Sequence, residues 1–372
     1  MKTTLEQGNE KQIPPIPFGL GRNDSAVVNE EPRAETGTDR WAAACASAGA
    51  AVWAGLAVLA RMGIARLGAI ELLFLFAPLV IVPLGLELGR VLGGGGPLQQ
   101  LARRLQPAGA ALAVVAMWLP PGKKAGFAAL GWLLICMLVA GDGVLKLLRA
   151  LTGKAGGSPF DCRSGQVRAA RIAMGIAQLD LAVGGIWLVA SRLGMRPMRI
   201  QEPIGLLTGV HFHFAGFATA MIGAAMLHFA EKREKHSWLT ALVLMVAGLP
   251  FIVAMGFVIS TVVKMAAAVL FSASIAGLAI SLRAFGKRAE NATARILLQV
   301  AAGSVFVGMM LSGTYAIADY LGSDALTIPQ MARTHGILNA VGFCLPGLLG
   351  WLVESGFQRT TNCAAARYTD GK

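Results

Sequence analysis

The residues of this sequence able to handle protons or metals are few, and they lie inside long apolar stretches. Two of the five histidines, His211 and His213, stand in Thr208-Gly209-Val210-His211-Phe212-His213-Phe214-Ala215-Gly216-Phe217. A third, His335, sits in Thr334-His335-Gly336 and is followed by Asn339 and Gly342. Imidazole changes charge near neutral pH, so it serves as acid, base or metal ligand. His335, Asn339 and Gly342 follow i, i+4, i+7 and make one polar stripe on an apolar helix. An imidazole backed by a side-chain amide suits an acid/base group with a fixed tautomer, and it equally suits glue between helices. His211 and His213 point about 200° apart on a helix, so one unbroken helix cannot offer both to one ion. His213 shares a seam with Gly209, Gly216, Ala220 and Gly223, which predicts close contact with another helix.

Carboxylates complete the set. Asp180, with Gln178, lies near the middle of an apolar run, and Glu71 lies about five residues inside another. An ionisable group in a membrane span costs roughly 3 kcal/mol on insertion scales, so each needs a partner, a proton or a function. The candidate acid/base residues are His211, His213, His335, Asn339, Asp180 and Glu71. The candidate metal ligands are His211, His213 and His335. Replacing any of the three histidines by Ala is expected to abolish function and leave folding largely intact. Glu87, Asp142 and His228 fall nearer the ends of their runs, where snorkelling to the interface would explain them. Asn291-Ala292-Thr293 formally matches a glycosylation acceptor, in a loop placed on the inner side.

The elements that must position these groups are membrane helices. Of the 372 residues, 55% are hydrophobic and only 14% charged, too little charge to cover a soluble surface. The sequence predicts an all-α polytopic transmembrane bundle with about ten spans. Apolar runs cover 41–60, 67–88, 105–120, 125–148, 168–191, 204–229, 238–259, 263–284, 294–318 and 328–353. The run at 105–120 is short and reads as a tilted or re-entrant segment. Residues 1–40 read as a disordered cytoplasmic tail, 41–354 as the membrane domain and 355–372 as a second cytoplasmic tail. The first apolar run starts near Trp41, so no cleavable signal peptide is expected.

The net charge of +13 does not point to nucleic acid, because Lys and Arg punctuate the apolar runs instead of forming one patch. With both ends in the cytoplasm of an inner-membrane protein, inner loops hold more of them than outer loops, as the positive-inside rule requires. Omitting the 105–120 segment would put the basic stretch from Lys146 to Arg171 outside. Under this topology Glu71, His211, His213 and His335 occupy one layer in the outer half of the membrane. The five cysteines, Cys45, Cys136, Cys162, Cys344 and Cys363, are scattered and form no CxxC, so neither a disulfide framework nor a thiolate metal site is expected.

Segment 210–217 resembles the HFHFAGF signature of YndJ-like bacterial membrane proteins. Thr334-His335-Gly336 with Asn339, Gly342-Phe343 and Gly350-Trp351 resembles the same family's C-terminal motif, and Ala77-Pro78-Leu79-Val80 with Pro83-Leu84 also fits it. The resemblance implies a multi-span bacterial membrane protein with His211, His213, His335 and Asn339 at signature positions, and it leaves the chemistry open. The leading functional expectation is an intramembrane acid/base enzyme (isomerase, cyclase or hydratase type) acting on a lipophilic small molecule taken from the bilayer. A haem- or metal-binding protein and a proton-coupled transporter are the alternatives, with a scaffold subunit as a non-catalytic fourth. No internal repeat is evident, which counts against a carrier.

Overall fold

The computed structural model describes residues 36–93, 95–152, 165–230, 237–323 and 326–370. Among them every regular element is helical. Ten long helices follow one another: α1 Thr36–Arg61, α2 Ala69–Val91, α3 Pro97–Trp118, α4 Lys123–Thr152 and α5 Gly165–Leu193. They continue with α6 Ile204–Ala230, α7 Ser237–Ile259, α8 Thr261–Lys287, α9 Ala292–Tyr320 and α10 at 328–370. Among the described residues nine of these, all but α3, are long and apolar enough to cross a membrane. Most of the expected N-terminal tail lies outside the described residues, and 36–40 open α1. At the other end, α10 runs on to Asp370.

Helix α3 differs from its sequence reading, and the reason is physical. It starts eight residues earlier than expected, with Gly96 at the N-cap and Pro97 in the first turn. Its 22 residues give about 33 Å, enough to cross a hydrocarbon core. Gln99, Arg103 and Gln106 share one face, and that face is turned inward and buried. Leu101, Leu105, Leu112 and Val115 are exposed instead. An apolar average underrates such a helix because its polar residues point into the protein and not into lipid.

Helices α6 and α2 form the centre. Of their apolar stretches, 89% and 83% are buried in the bundle, against 22% for α1. Both centres contain π-helical turns, Ala77–Ile81 in α2 and Phe212–Ala218 in α6. Helix α10 has two more, Ala332–Gly336 and Leu338–Cys344. The turn in α2 touches that in α6, which in turn touches Leu338–Cys344. A π turn is strained and persists where packing or function compensates it. In α2 the compensation is legible. Val82 N–H reaches back five residues to Ala77 O. The same pattern would pair Pro78 O with residue 83, but Pro83 has no N–H. Gln106 of α3 donates to Pro78 O instead, from 2.6 Å. In α6, Thr219 Oγ1 donates to Phe214 O at 2.9 Å.

The glycine seam expected on α6 exists. Gly209 and Gly216 face α5, and Gly223 faces Val243 of α7. At Gly184 of α5 a methyl group would lie 2.5 Å from His213 Nδ1, and at Gly216 it would lie 2.7 Å from Asp180 Cγ. These two glycines let α5 and α6 approach with a histidine and a carboxyl between them.

Candidate functional site

His213 sits wholly inside the bundle. Its Nδ1 lies 2.7 Å from Gly209 O, and a carbonyl only accepts, so Nδ1 carries the hydrogen. Trp132 Nε1 on α4 donates to the remaining nitrogen, Nε2, at 3.0 Å. Phe74 of α2 meets the ring edge-on, with centroids 4.9 Å apart. A neutral imidazole has one donor and one acceptor, and both are spent here. A second proton on Nε2 would face the indole N–H. This geometry separates His213 from the other two histidines.

His211 is held differently. Its Nδ1 donates to Leu207 O at 2.7 Å, while its Nε2 has no hydrogen-bond partner among the described residues. The residue is exposed rather than packed. His335 lies near enough to interact with it electrostatically. His335 donates from Nδ1 to Gly308 O of α9 at 2.9 Å, which again leaves Nε2 as the lone-pair nitrogen. The Asn339 amide nitrogen lies 3.1 Å from that Nε2 and 2.9 Å from His335 O. The expected pairing of imidazole and amide in α10 is therefore present. His211 of α6 and His335 of α10 thus form an electrostatically coupled pair, each pinned by a backbone carbonyl, with Nε2 open in His211 and met by the Asn339 amide in His335.

The two carboxylates are not part of that pair. Asp180, at the middle of α5, is completely buried against Gly216, and neither oxygen has a hydrogen-bond partner. Glu71 stands at the start of α2, where its Oε2 accepts from Gly68 N–H at 3.0 Å and closes the helix end. Arg192 of α5 is buried close enough to Glu71 and Glu202 to feel both charges.

Sequence reasoning missed a second polar centre. Glu87 and Asp142, read as snorkelling, are 2% and 3% exposed and are paired instead. Glu87 bridges Arg90 and Arg103, each at 2.6 Å. Lys146 pairs with Asp142 at 2.5 Å and donates to Gln99 and Gln178 at 3.0 and 3.1 Å. The spacings Glu87–Arg90 and Asp142–Lys146 are i+3 and i+4, so half of this network was available to a helical-wheel reading. Elsewhere Lys264 pairs with Asp319 at 2.7 Å, and Asn291, far from being a free glycosylation acceptor, caps α9 through its side-chain oxygen. Among the described residues no group of three or more His, Cys, Asp or Glu could hold a metal ion. Of the three candidate metal ligands, His213 has both ring nitrogens engaged, by Gly209 O and Trp132.

A family model described as "YndJ-like protein" matches residues 72–343. That stretch contains His211, His213, His335, Asn339 and Asp180, and it begins one residue after Glu71. A protein of Bacillus subtilis (strain 168) named "Uncharacterized membrane protein YndJ" is 29% identical over 175 residues, which cover 47% of this chain and 31% of that protein. The chain therefore spans about a third of the length of that relative. No solved structure matches.

Proposed function

We propose, for a chain that belongs to the YndJ-like family of membrane proteins, an intramembrane acid/base site centred on His211 that acts on a lipophilic small molecule. The observation that carries the reading is the open Nε2 of an accessible His211, fixed in one tautomer by Leu207 O and close enough to a second pinned imidazole, His335, to interact with it electrostatically. A fixed tautomer with a free lone pair is a ready proton acceptor. His335, with Asn339 behind it, is the partner that returns a proton or orients the reacting group. The reaction class that fits is isomerisation, cyclisation or hydration, which needs no nucleotide. The protein is assigned to the inner membrane with both ends in the cytoplasm, on the strength of the loop charges and of ten long helices, α3 included, among the described residues.

The test compares membranes of cells making the wild type and His211→Ala at equal levels, with mass spectrometry of the lipid extracts. A lipophilic compound consumed or formed only with the wild type supports the reading. Identical extracts, with both proteins folded, overturn it. A second reading, His211 and His335 as ligands to a metal or haem, is favoured by one observation. Each ring donates Nδ1–H to a carbonyl, the arrangement that orients metal-bound histidines, with Nε2 free in His211 and only the Asn339 amide against it in His335. A Soret band, or about one equivalent of metal, lost in His211→Ala would put this reading first.

A further inference from the structure

Asp180 is used by neither reading, yet it is the least compensated group in the bundle. It lies at the midpoint of α5, and both its oxygens are buried without a partner. A bare carboxylate in that position would be among the costliest groups a membrane protein can hold. Something must neutralise it, and the surroundings narrow the choice. Helix α7, packed on α5, carries no ionisable residue over Ser237–Ile259. From α6, His213 faces α5 with both nitrogens engaged, while His211 lies on another face with its Nδ1 held by Leu207 O. Farther along α6, His228 sits beside Phe229 in its last turn. From α4 come Asp142 and Lys146, which pair with each other. No cation of the described residues reaches the carboxyl. A hydrated ion has no room either, because Gly216 is so close that even a methyl there would lie 2.7 Å from Cγ and 2.9 Å from Oδ2. The partner that needs no space is a hydrogen ion.

We infer that Asp180 is a proton-binding site: at neutral pH it carries a proton, held at mid-membrane by the closed seam between α5 and the π turn of α6. The proton binds reversibly to a carboxylate oxygen and leaves when the seam parts enough to admit water. Opening and closing the α5–α6 seam therefore releases and takes up one proton. The seam is closed at Gly216 on one side and at Gly184 with His213 on the other.

The experiment is an infrared difference spectrum of the full chain in mild detergent at pH 7, wild type minus Asp180→Asn. Asn is neutral and nearly the same shape, so it mimics the protonated acid. The expected result is a carboxylic-acid carbonyl band in the wild type that shifts in deuterated water and is missing from the variant. Carboxylate stretches in place of that band overturn the inference and mean that a cation holds Asp180. Should Asp180→Asn not fold, wild type labelled with 13C at the aspartate carboxyls gives the same answer. A labelled acid band at pH 7 supports the proton, and carboxylate bands alone exclude it. A second readout is thermal stability against pH. A folded state that keeps a proton the unfolded chain releases loses about tenfold in its folding constant per unit rise in pH, relative to Asp180→Asn. Parallel pH profiles for the two proteins overturn the inference as well.

Discussion

Gly184→Ala tests whether His213 is a locked structural element. A methyl at this position would lie 2.5 Å from His213 Nδ1, 2.7 Å from Cε1 and 3.2 Å from Gly209 O. Non-bonded atoms settle at about 3.5–4.0 Å, so the ring or the helix must yield by about 1 Å. The ring cannot turn away cheaply, since Gly209 O holds Nδ1, Trp132 holds Nε2 and Phe74 closes the edge. Overpacking a core costs about 1–3 kcal/mol. Breaking a buried hydrogen bond and leaving its partner unsatisfied adds about 1–3 kcal/mol. The expected loss is therefore roughly 2–6 kcal/mol for one methyl group. Gly303→Ala is the control, because that glycine is exposed on α9 and has nothing within 4 Å. There the helix should gain about 0.5–1 kcal/mol. The assay is thermal unfolding of both variants in one detergent, repeated in a His213→Ala background. With the imidazole gone the methyl has space, so most of the penalty should vanish in the double mutant. A Gly184→Ala protein that melts with Gly303→Ala, or an unchanged penalty without His213, refutes the clamp.

Three further outcomes follow from the same geometry. Gln106→Leu should cost about 1–3 kcal/mol by orphaning Pro78 O, and Pro83→Ala in that background should recover part of it by restoring an N–H; no recovery in unfolding midpoints would break the account of the α2 π turn. Asp142→Asn should cost about 3–5 kcal/mol because Lys146 stays buried without its counter-charge, again read by thermal unfolding, and a cost near zero would place Lys146 in water. Diethyl pyrocarbonate should modify His211 and spare His213 in the folded protein, as followed by peptide mass spectrometry, and equal rates would mean that His213 is accessible.

What could be read from the sequence divides by the range of the interaction. Helical spacing carries information over one or two turns, so the α6 glycine seam, the His335–Asn339 stripe and the Glu87–Arg90 and Asp142–Lys146 pairs were all within reach. Contacts between helices were not. Trp132 is 81 residues from the histidine it bonds, and Gln106 is 28 residues from Pro78. Nothing local distinguishes an indole that closes an imidazole from one that faces lipid. The i, i+4, i+7 spacing of Gln99, Arg103 and Gln106 was the overlooked signal. Three polar residues on one face of a membrane helix mark the side that meets protein, and here they also set where α3 begins. The two-residue offset of His211 and His213 put them on different faces of α6, where their surroundings differ, but it could not say which histidine was spent.

That last question is answered by asking what holds each π turn in place. In α2 the missing N–H of Pro83 is replaced by Gln106, and in α6 Thr219 Oγ1 donates to Phe214 O and His213 Nδ1 to Gly209 O. Those turns are compensated by packing, so their unusual residues need no further purpose. His211 enters the α6 turn and is tied down on one side only, while His335 lies within a turn of α10 between Gly308 O and the Asn339 amide. Packing accounts for both Nδ1 atoms and for the His335 Nε2 beside Asn339, and leaves the His211 Nε2, which nothing among the described residues engages. An imidazole fixed so firmly and left open on its basic side is an expensive way to stabilise a helix pair. That surplus is the physical reason to look for the site's chemistry between His211 and His335, and to look for the resting proton at Asp180.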